Sequence, residues 1–148
     1  MLNPNKPSNG YKILFIEDEK DLVQIYKDNF ESEGYEFITT CDVKEALRLA
    51  EDEQPDAVLL DIIIPVPENI IAEQGYDYLK VVKGNPSTKD IPIIVFTNLD
   101  TPQDRKKCRE LGAAAYIFKR DCTPKEVLDT VKEVIRRAKD KKVKTASV

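Results

Sequence analysis

The amino-acid sequence predicts an α/β protein with a doubly wound, five-stranded parallel sheet and five helices. Short apolar runs without helical spacing, typical of strands buried on both faces, alternate with segments whose apolar residues recur every three or four positions. Parallel strands need crossover connections, which such helices provide. The apolar runs also end in polar side chains, as strands do at the edge of a sheet where ligands bind.

Five segments are predicted as strands because they are apolar and lack helical spacing. They cover residues 13–16, 35–40, 57–60, 92–97 and 113–119. The third segment is apolar at every position and ends at Asp61. Desolvation of an ionised carboxylate is costly, so we expect Asp61 to lie where solvent or a cation reaches it.

Helices are predicted from apolar spacing together with caps and breakers. The first ends near Glu33, before Gly34, and the second begins at Asp42, with Glu45 three residues on, and stops before Pro55. The other three helices are predicted over residues 75–82, 101–111 and 123–136. The segment 101–111 has few apolar anchors, so we expect that helix to be loosely held.

Three segments are predicted to lie outside the regular elements. Residues 1–11 form a flexible leader, residues 66–74 an irregular loop, and the chain beyond 136 becomes a Lys-rich fraying end and coil. The predicted domain therefore covers residues 12–138, followed by a basic tail over 139–148.

Composition excludes several classes of function. A length of 148 residues suits one domain, and a net charge of −4 predicts no nucleic-acid-binding surface for the whole chain. No apolar run has transmembrane length, and no signal peptide is recognisable, so we expect neither a membrane span nor export from the cytoplasm. The three cysteines are expected to be reduced thiols, and the absence of histidine excludes a His-based triad.

Polar side chains follow four of the predicted strands, at the carboxyl end of each. They are Glu17, Asp18, Asp61, Thr97 and Lys119. If the strand order is 2-1-3-4-5, Asp18 and Asp61 lie together at the switch point, flanked by Thr97 and Lys119. Converging carboxylates repel one another unless a cation is bound, and Mg²⁺ prefers such hard oxygen ligands. The set predicts a phosphoryl site beside a metal ion, with an aspartate as nucleophile.

The chain resembles the receiver domain of two-component response regulators in four motifs, which are KILFIEDE, AVLLDIIIP, IIVFTN and AAAYIFK in this order. The resemblance covers about residues 11–138 and implies a flavodoxin-like fold. It also implies that Asp61 accepts a phosphoryl group from a sensor histidine kinase or a histidine phosphotransfer protein. Such a protein is a phosphorylatable regulator and not an enzyme acting on other substrates.

The resemblance also implies roles for the neighbouring residues. Asp18 and Asp61 would bind Mg²⁺ together with the backbone carbonyl of Ile63, and Glu17 would act from the acidic cluster, through water. The remaining implied residues are Thr97 and Lys119, which contact the phosphoryl oxygens, and Tyr116, whose rotamer follows Thr97. Because no effector domain follows the fifth helix, we expect output through an unidentified partner protein that binds the fourth helix, fifth strand and fifth helix.

Four features depart from the family pattern. Glu17 stands where an aspartate is usual, Arg120 replaces a common proline, and Asn98 replaces a small residue. The expected glycine is displaced to Gly75, which lengthens the loop over 66–74. The long loop is either a tolerated insertion or a lid or partner contact.

Two apolar residues predict a long-lived phosphorylated state. Ile63 and Leu99 stand two residues beyond Asp61 and Thr97, at positions that in this family influence the hydrolytic water. Apolar side chains cannot orient that water, so we expect slow loss of the phosphoryl group.

Three other functions compete with this interpretation. A Mg²⁺-dependent phosphatase of the haloacid dehalogenase type needs a second aspartate where Ile63 stands, and a flavodoxin-like cofactor binder needs a phosphate-binding loop where EDEKD is acidic. A degenerate receiver, which docks proteins without being phosphorylated, stays open because of Glu17 and the long loop.

Overall fold

The computed structural model describes residues 8–64 and 74–146. Its strands are β1 (Lys12–Ile16), β2 (Glu36–Thr40), β3 (Ala57–Leu60), β4 (Ile93–Thr97) and β5 (Ala115–Phe118). They form one sheet in the order β2-β1-β3-β4-β5, and every neighbouring pair is parallel. The predicted fold class and strand order are therefore confirmed.

Five helices connect and follow the strands. They are α1 (Lys20–Ser32), α2 (Val43–Glu53), α3 (Gln74–Gly84), α4 (Pro102–Glu110) and α5 (Pro124–Ala146). Asp42 caps α2 by accepting a hydrogen bond from the Lys44 N–H at 3.0 Å. Thr123 and Glu126 form the predicted capping box of α5, in which each side chain accepts from the other residue's N–H.

Two apolar clusters cover the two faces of the sheet. On one face, Phe15 packs between Tyr26 of α1 and Phe96 of β4, and the buried residues of α5 join the same cluster. On the other face the strands pack against α2, α3 and α4. α4 adds only Cys108 as a fully buried residue, with Leu111 partly buried beyond its end, as its composition predicts.

The last helix is longer than the sequence analysis predicts. Residues 137–146 continue α5, where a fraying end and coil were expected. Ion pairs between residues three or four apart link Glu133 with Arg136 and Arg137, and Arg136 with Asp140. Such pairs and strong helix formers stabilise a solvent-exposed helix that has few apolar contacts, so the prediction of a coil was wrong.

Two predicted segments lie largely outside the described residues. These are most of the leader, at residues 1–7, and nearly all of the 66–74 loop. The last part of the leader is held in place, since the Asn9 N–H donates to the Gly34 carbonyl at 3.0 Å. Within the described ranges, no helix has both the length and the apolarity needed to cross a bilayer.

Candidate functional site

The strand register brings the predicted polar residues to one edge of the sheet. Ile16 pairs with Leu60, and Leu60 pairs with Val95, so the residues that follow β1 and β3 are neighbours. Thr97 pairs with Phe118, which places the end of β4 beside the end of β5. The residues gathered here are Glu17, Asp18, Asp61, Thr97 and Lys119. The juxtaposition predicted from the sequence is thus present.

Three carboxylates converge at this edge. Glu17, Asp18 and Asp61 each offer an oxygen atom within 4.8 Å of the others. Glu17 and Asp61 are buried, at 3% and 6% exposure, whereas Asp18 is exposed. Glu17 is fixed by the turn after β1, because its Oε2 accepts from the backbone N–H groups of Asp18, at 3.0 Å, and Glu19, at 3.4 Å.

Lys119 partly balances this negative charge. Its Nζ donates to Glu17 Oε1 and, at 3.0 Å, to Asp61 Oδ2. Lys119 follows β5 in a short 3₁₀ turn (Lys119–Asp121), not in the strand as predicted, and its ammonium group lies 5.4 Å from the Phe96 ring centroid. The strand ends one residue early, and the turn directs the lysine across the sheet edge to β1 and β3.

The pKa values reflect both burial and pairing. Burial, opposed by the hydrogen bond from Lys119 and reinforced by the charge of Asp61, raises the pKa of Glu17 to about 7. Burial by itself lowers the pKa of Lys119, but the hydrogen bond to Glu17 and the charge of Asp61 outweigh it, so that the pKa is raised. Lys119 therefore stays protonated and holds the two carboxylates together.

The backbone around Asp61 is packed against the start of α3. The Gly75 N–H donates to the Ile62 carbonyl at 2.8 Å, and the Ile63 N–H donates to Asp61 Oδ1 at 3.2 Å. A Cβ atom added at Gly75 would lie 2.4 Å from Ile62 Cα and 2.7 Å from the Asp61 carbonyl oxygen. The sequence marks Gly75 by its displaced position and as the start of a helix, whereas the structure shows that no larger residue fits without a shift of the backbone beside Asp61.

Thr97 and Tyr116 hold opposite sides of one backbone segment. The Leu99 N–H donates to Oγ1 of the fully buried Thr97 at 3.3 Å, and the Tyr116 hydroxyl donates to the Leu99 carbonyl. Arg105 of α4 lies over the Tyr116 ring, with its guanidinium carbon 5.4 Å from the centroid, and pairs with Asp100. Leu99 thus lies between Thr97 and Tyr116, and Tyr116 lies beside α4.

The residues that depart from the family pattern lie around the cluster. Asn98 and Arg120 are exposed, and Ile63 is 41% exposed beside Asp61. The peptide bond between Lys119 and Arg120 is trans. Of the extended loop over 66–74, all but Gln74 lies outside the described residues, so its predicted role as a lid or partner contact stays a prediction.

The donor set fits Mg²⁺. Three carboxylates and one ammonium group leave a net negative charge that a divalent cation can neutralise, and all the candidate ligand atoms are oxygen. Asp18 is exposed and has solvent beside it, which suits an ion that retains bound water. The Ile63 carbonyl lies in the same turn, two residues after Asp61.

Sequence comparison identifies relatives along nearly the whole chain. A sequence model of the response regulator receiver domain matches residues 13–132. The chain is 35% identical over 127 residues to the alkaline phosphatase synthesis transcriptional regulatory protein PhoP of Bacillus subtilis (strain 168), an alignment that covers 86% of this chain and 49% of PhoP. The chain thus spans about half the length of the curated relatives it matches.

Solved structures give the same result. Chemotaxis protein CheY4 of Vibrio cholerae superposes with a TM-score of 0.73 at 26% identity, over 84% of this chain and 98% of that one. The receiver domain of a sensor histidine kinase of Pseudomonas aeruginosa PAO1, solved with a magnesium ion coordinated in its active site cleft, gives a TM-score of 0.72 at 26% identity, over 85% and 98%.

Proposed function

The chain belongs to the response regulator receiver domain family, and we propose that Asp61 is the residue on which it accepts a phosphoryl group. One observation supports this assignment above the others. Asp61 is the carboxylate that both contacts Lys119 and directly follows the central strand β3, between Glu17, which follows β1, and Thr97, the last residue of β4. A nucleophile placed there has a fixed cation and a hydroxyl group on the same side of the sheet.

The proposed transfer starts from a phosphohistidine on a sensor kinase or a phosphotransfer protein. An Asp61 carboxylate oxygen forms a bond to phosphorus while the phosphorus–nitrogen bond breaks, and the imidazole nitrogen keeps that electron pair. Lys119 moves from its pairing with the Asp61 carboxylate to one oxygen of the new phosphoryl group, and the Thr97 hydroxyl donates a hydrogen bond to another oxygen of that group. Receiver domains are signalling domains rather than classical enzymes, so no other substrate is proposed.

We assign the metal site to Asp18 and Asp61, with the Ile63 carbonyl and, through water, Glu17. Mg²⁺ bound there supplies positive charge beside the phosphoryl oxygens. The chain's own contribution is to hold the carboxylates within 4.8 Å of one another and to fix Glu17 with two backbone N–H groups. Because Glu17 already accepts these two hydrogen bonds, a position in the outer shell of the ion, through water, suits it better than direct ligation.

The proposed switch connects Thr97 to the surface of α4, β5 and α5. Movement of the Thr97 hydroxyl towards a phosphoryl oxygen removes the acceptor of the Leu99 N–H. Leu99 then shifts with the Tyr116 hydroxyl bound to its carbonyl, and Arg105 above that ring moves with it. α4 can respond easily, because Cys108 is its one fully buried residue.

The proposed partners are a phosphoryl donor and one downstream protein that binds this surface. PhoP is named as a transcriptional regulatory protein, yet the present domain carries a net charge of −4, and we propose no nucleic-acid contact for it. A cytoplasmic location is proposed because the two-component phosphoryl donors act there and Cys41, Cys108 and Cys122 are free thiols.

The test is the intact mass of the protein after incubation with acetyl phosphate. We expect one phosphoryl addition that requires Mg²⁺ and disappears in Asp61→Asn or on addition of EDTA. Asp56→Asn is a matched control, because Asp56 lies at the opposite edge, where its carboxylate accepts from the Lys12 N–H at 2.8 Å. Absence of addition in the folded, Mg²⁺-binding wild type would favour the degenerate receiver that only docks proteins.

The lifetime of the phosphorylated form tests the role of the apolar neighbours. Ile63, two residues after Asp61, is 41% exposed, and its side chain cannot hydrogen bond a hydrolytic water, so we expect a half-life of many minutes or longer. Ile63→Asn should shorten the half-life several-fold, as followed by intact mass after removal of the donor. Val81→Asn, at a 50% exposed position on α3, serves as the control. A half-life of seconds that Ile63→Asn leaves unchanged would contradict this expectation.

A further inference from the structure

A cavity lies at the amino edge of the sheet, opposite the acidic site. It has a volume of about 610 Å³, within the range of small-molecule sites. Pro92 and Ala114, which precede β4 and β5, line it, whereas Thr97 and Lys119 lie at the other ends of the same strands. Its other walls are the end of α3, the loop before β4 with Lys89 and Asp90, and α5 from Val134 onward.

The charged side chains around this cavity are almost all basic. Lys83, Lys89, Arg137, Lys141 and Lys142 line it together with one carboxylate, Asp90. The formal charge of this lining is +4, in a chain whose net charge is −4. Charge of one sign around a concave surface concentrates counter-ions of the opposite sign, so the cavity attracts anions.

Two of the lining side chains are held by contacts with the protein. Lys83 Nζ donates to the Lys89 carbonyl at 2.9 Å and to the Ile91 carbonyl at 2.7 Å, which fixes the loop before β4. Arg137 uses its Nε for Glu133 at 3.0 Å, so that pair orients the guanidinium plane. Lys83 therefore links α3 to the loop before β4, and Arg137 is anchored on α5.

The cavity also has an apolar part. Pro92, Ala114, Val134 and Ala138 contribute to its lining, and Val134 is buried in the core. A simple inorganic anion would leave this surface unused. A ligand with two or more phosphate charges and an apolar ring satisfies both parts of the lining.

We propose that this cavity binds a small organic polyphosphate of mononucleotide size, a second input separate from phosphorylation of Asp61. The concave shape favours a small molecule over a nucleic-acid duplex, which needs an extended basic surface. A bound polyphosphate would join the end of α5 to the loops before β4 and β5. It would thereby reach α5, one of the elements of the proposed output surface, from the side opposite the acidic site.

Amide NMR titration with ATP, in EDTA to keep metal-bound nucleotide away from the acidic edge, tests this proposal. We expect saturable shifts at residues lining the cavity. Lys89→Gln/Arg137→Gln should weaken binding at least tenfold, whereas Lys44→Gln/Lys125→Gln, which removes two exposed cations elsewhere, should change it less than twofold. Ala138→Glu places a carboxylate in the cavity and should abolish binding while α5 remains helical by circular dichroism. Inorganic tripolyphosphate should bind several-fold more weakly than ATP.

Three results would overturn the proposal. The first is the absence of saturable shifts at millimolar ATP, and the second is equal weakening by the control pair. The third is equal affinity for tripolyphosphate and ATP, which would mean that the apolar lining takes no part. None of them bears on the phosphoacceptor proposal, because Asp61 phosphorylation is measured independently by intact mass.

Discussion

The two edges of the sheet carry opposite charge and hold it in different ways. At the carboxyl edge Glu17 and Asp61 are buried and share one ammonium group, that of Lys119. At the amino edge Lys89 and Arg137 are exposed around an open cavity. The acidic edge is thus buried and paired, whereas Lys89 and Arg137 at the basic edge face solvent.

This difference shows which charges constrain the fold. A buried carboxylate interacts in a low-dielectric environment, so its partner and its backbone contacts must be fixed. An exposed lysine is screened by water and salt, and its position can vary at little cost. Matched substitutions at the two edges therefore test whether the acidic edge is the rigid one.

The largest effect is expected for Lys119→Gln. Loss of the ammonium group leaves Glu17 and Asp61 buried without their cation, and removal of one partner of a buried pair costs about 3 kcal/mol. Lys89→Gln at the amino edge should change the free energy of unfolding by less than about 0.5 kcal/mol. Urea denaturation at pH 7 measures both, and Mg²⁺ should restore part of the loss in Lys119→Gln. Equal effects at the two positions would contradict the comparison.

The next largest effect is expected for Gly75→Ala, with Gly84→Ala as control. Both glycines belong to α3, but an added Cβ at Gly75 meets the backbone of Ile62 at 2.4 Å, whereas nothing lies within 4 Å of one at Gly84. We expect a loss of about 3 kcal/mol for the first, by overpacking, and a change of less than about 1 kcal/mol for the second.

Urea denaturation gives the stabilities of both glycine variants, and acetyl phosphate labelling shows whether the shift at Gly75 reaches Asp61. Labelling should slow in Gly75→Ala and stay unchanged in Gly84→Ala. If the two variants proved equally stable, the acidic edge would not depend on the close approach of α3.

The smallest effect is expected for Tyr76→Phe, which removes a hydrogen bond between α3 and α4. The Tyr76 hydroxyl donates to Asp104 Oδ1 at 2.7 Å. Hydrogen bonds from Thr101, and then from Tyr76, lower the pKa of Asp104, so this carboxylate stabilises the fold above its unfolded pKa of about 3.9. Tyr76→Phe should cost about 1 kcal/mol at pH 7, and the difference should shrink as pH falls through the folded pKa.

Tyr78→Phe is the control for this pH dependence. The Tyr78 hydroxyl donates to the Ala46 carbonyl at 3.0 Å, a bond between groups that stay uncharged at acidic pH. Its cost, also about 1 kcal/mol, should therefore be the same from pH 7 to pH 3. Thermal unfolding at several pH values distinguishes the two variants, and parallel profiles would show that Asp104 does not depend on Tyr76.

Much of the fold and the site followed from local patterns. Apolar runs such as Ala57–Leu60 predicted the strands, because a strand buried on both faces has no polar positions. The strand-end positions of Asp61, Thr97 and Lys119 predicted the site, because parallel strands share one edge. The predicted bounds were less accurate at β5 and α5. A turn that begins at Lys119 ends β5 early, and the ion pairs of Glu133 accompany a longer α5 than the apolar spacing predicts.

The sequence by itself determined the alternation of strands and helices and the positions of the acidic and basic residues that follow the strands, because alternation and spacing are local properties. The tertiary structure alone decided the pairing of Lys119 with Glu17, 102 residues apart, and the contact of Gly75 with Ile62. It also decided the basic cavity, to which α3, α5 and the loops before β4 and β5 contribute. Contacts between distant residues depend on how helices pack across the sheet, and no short-range pattern records that packing.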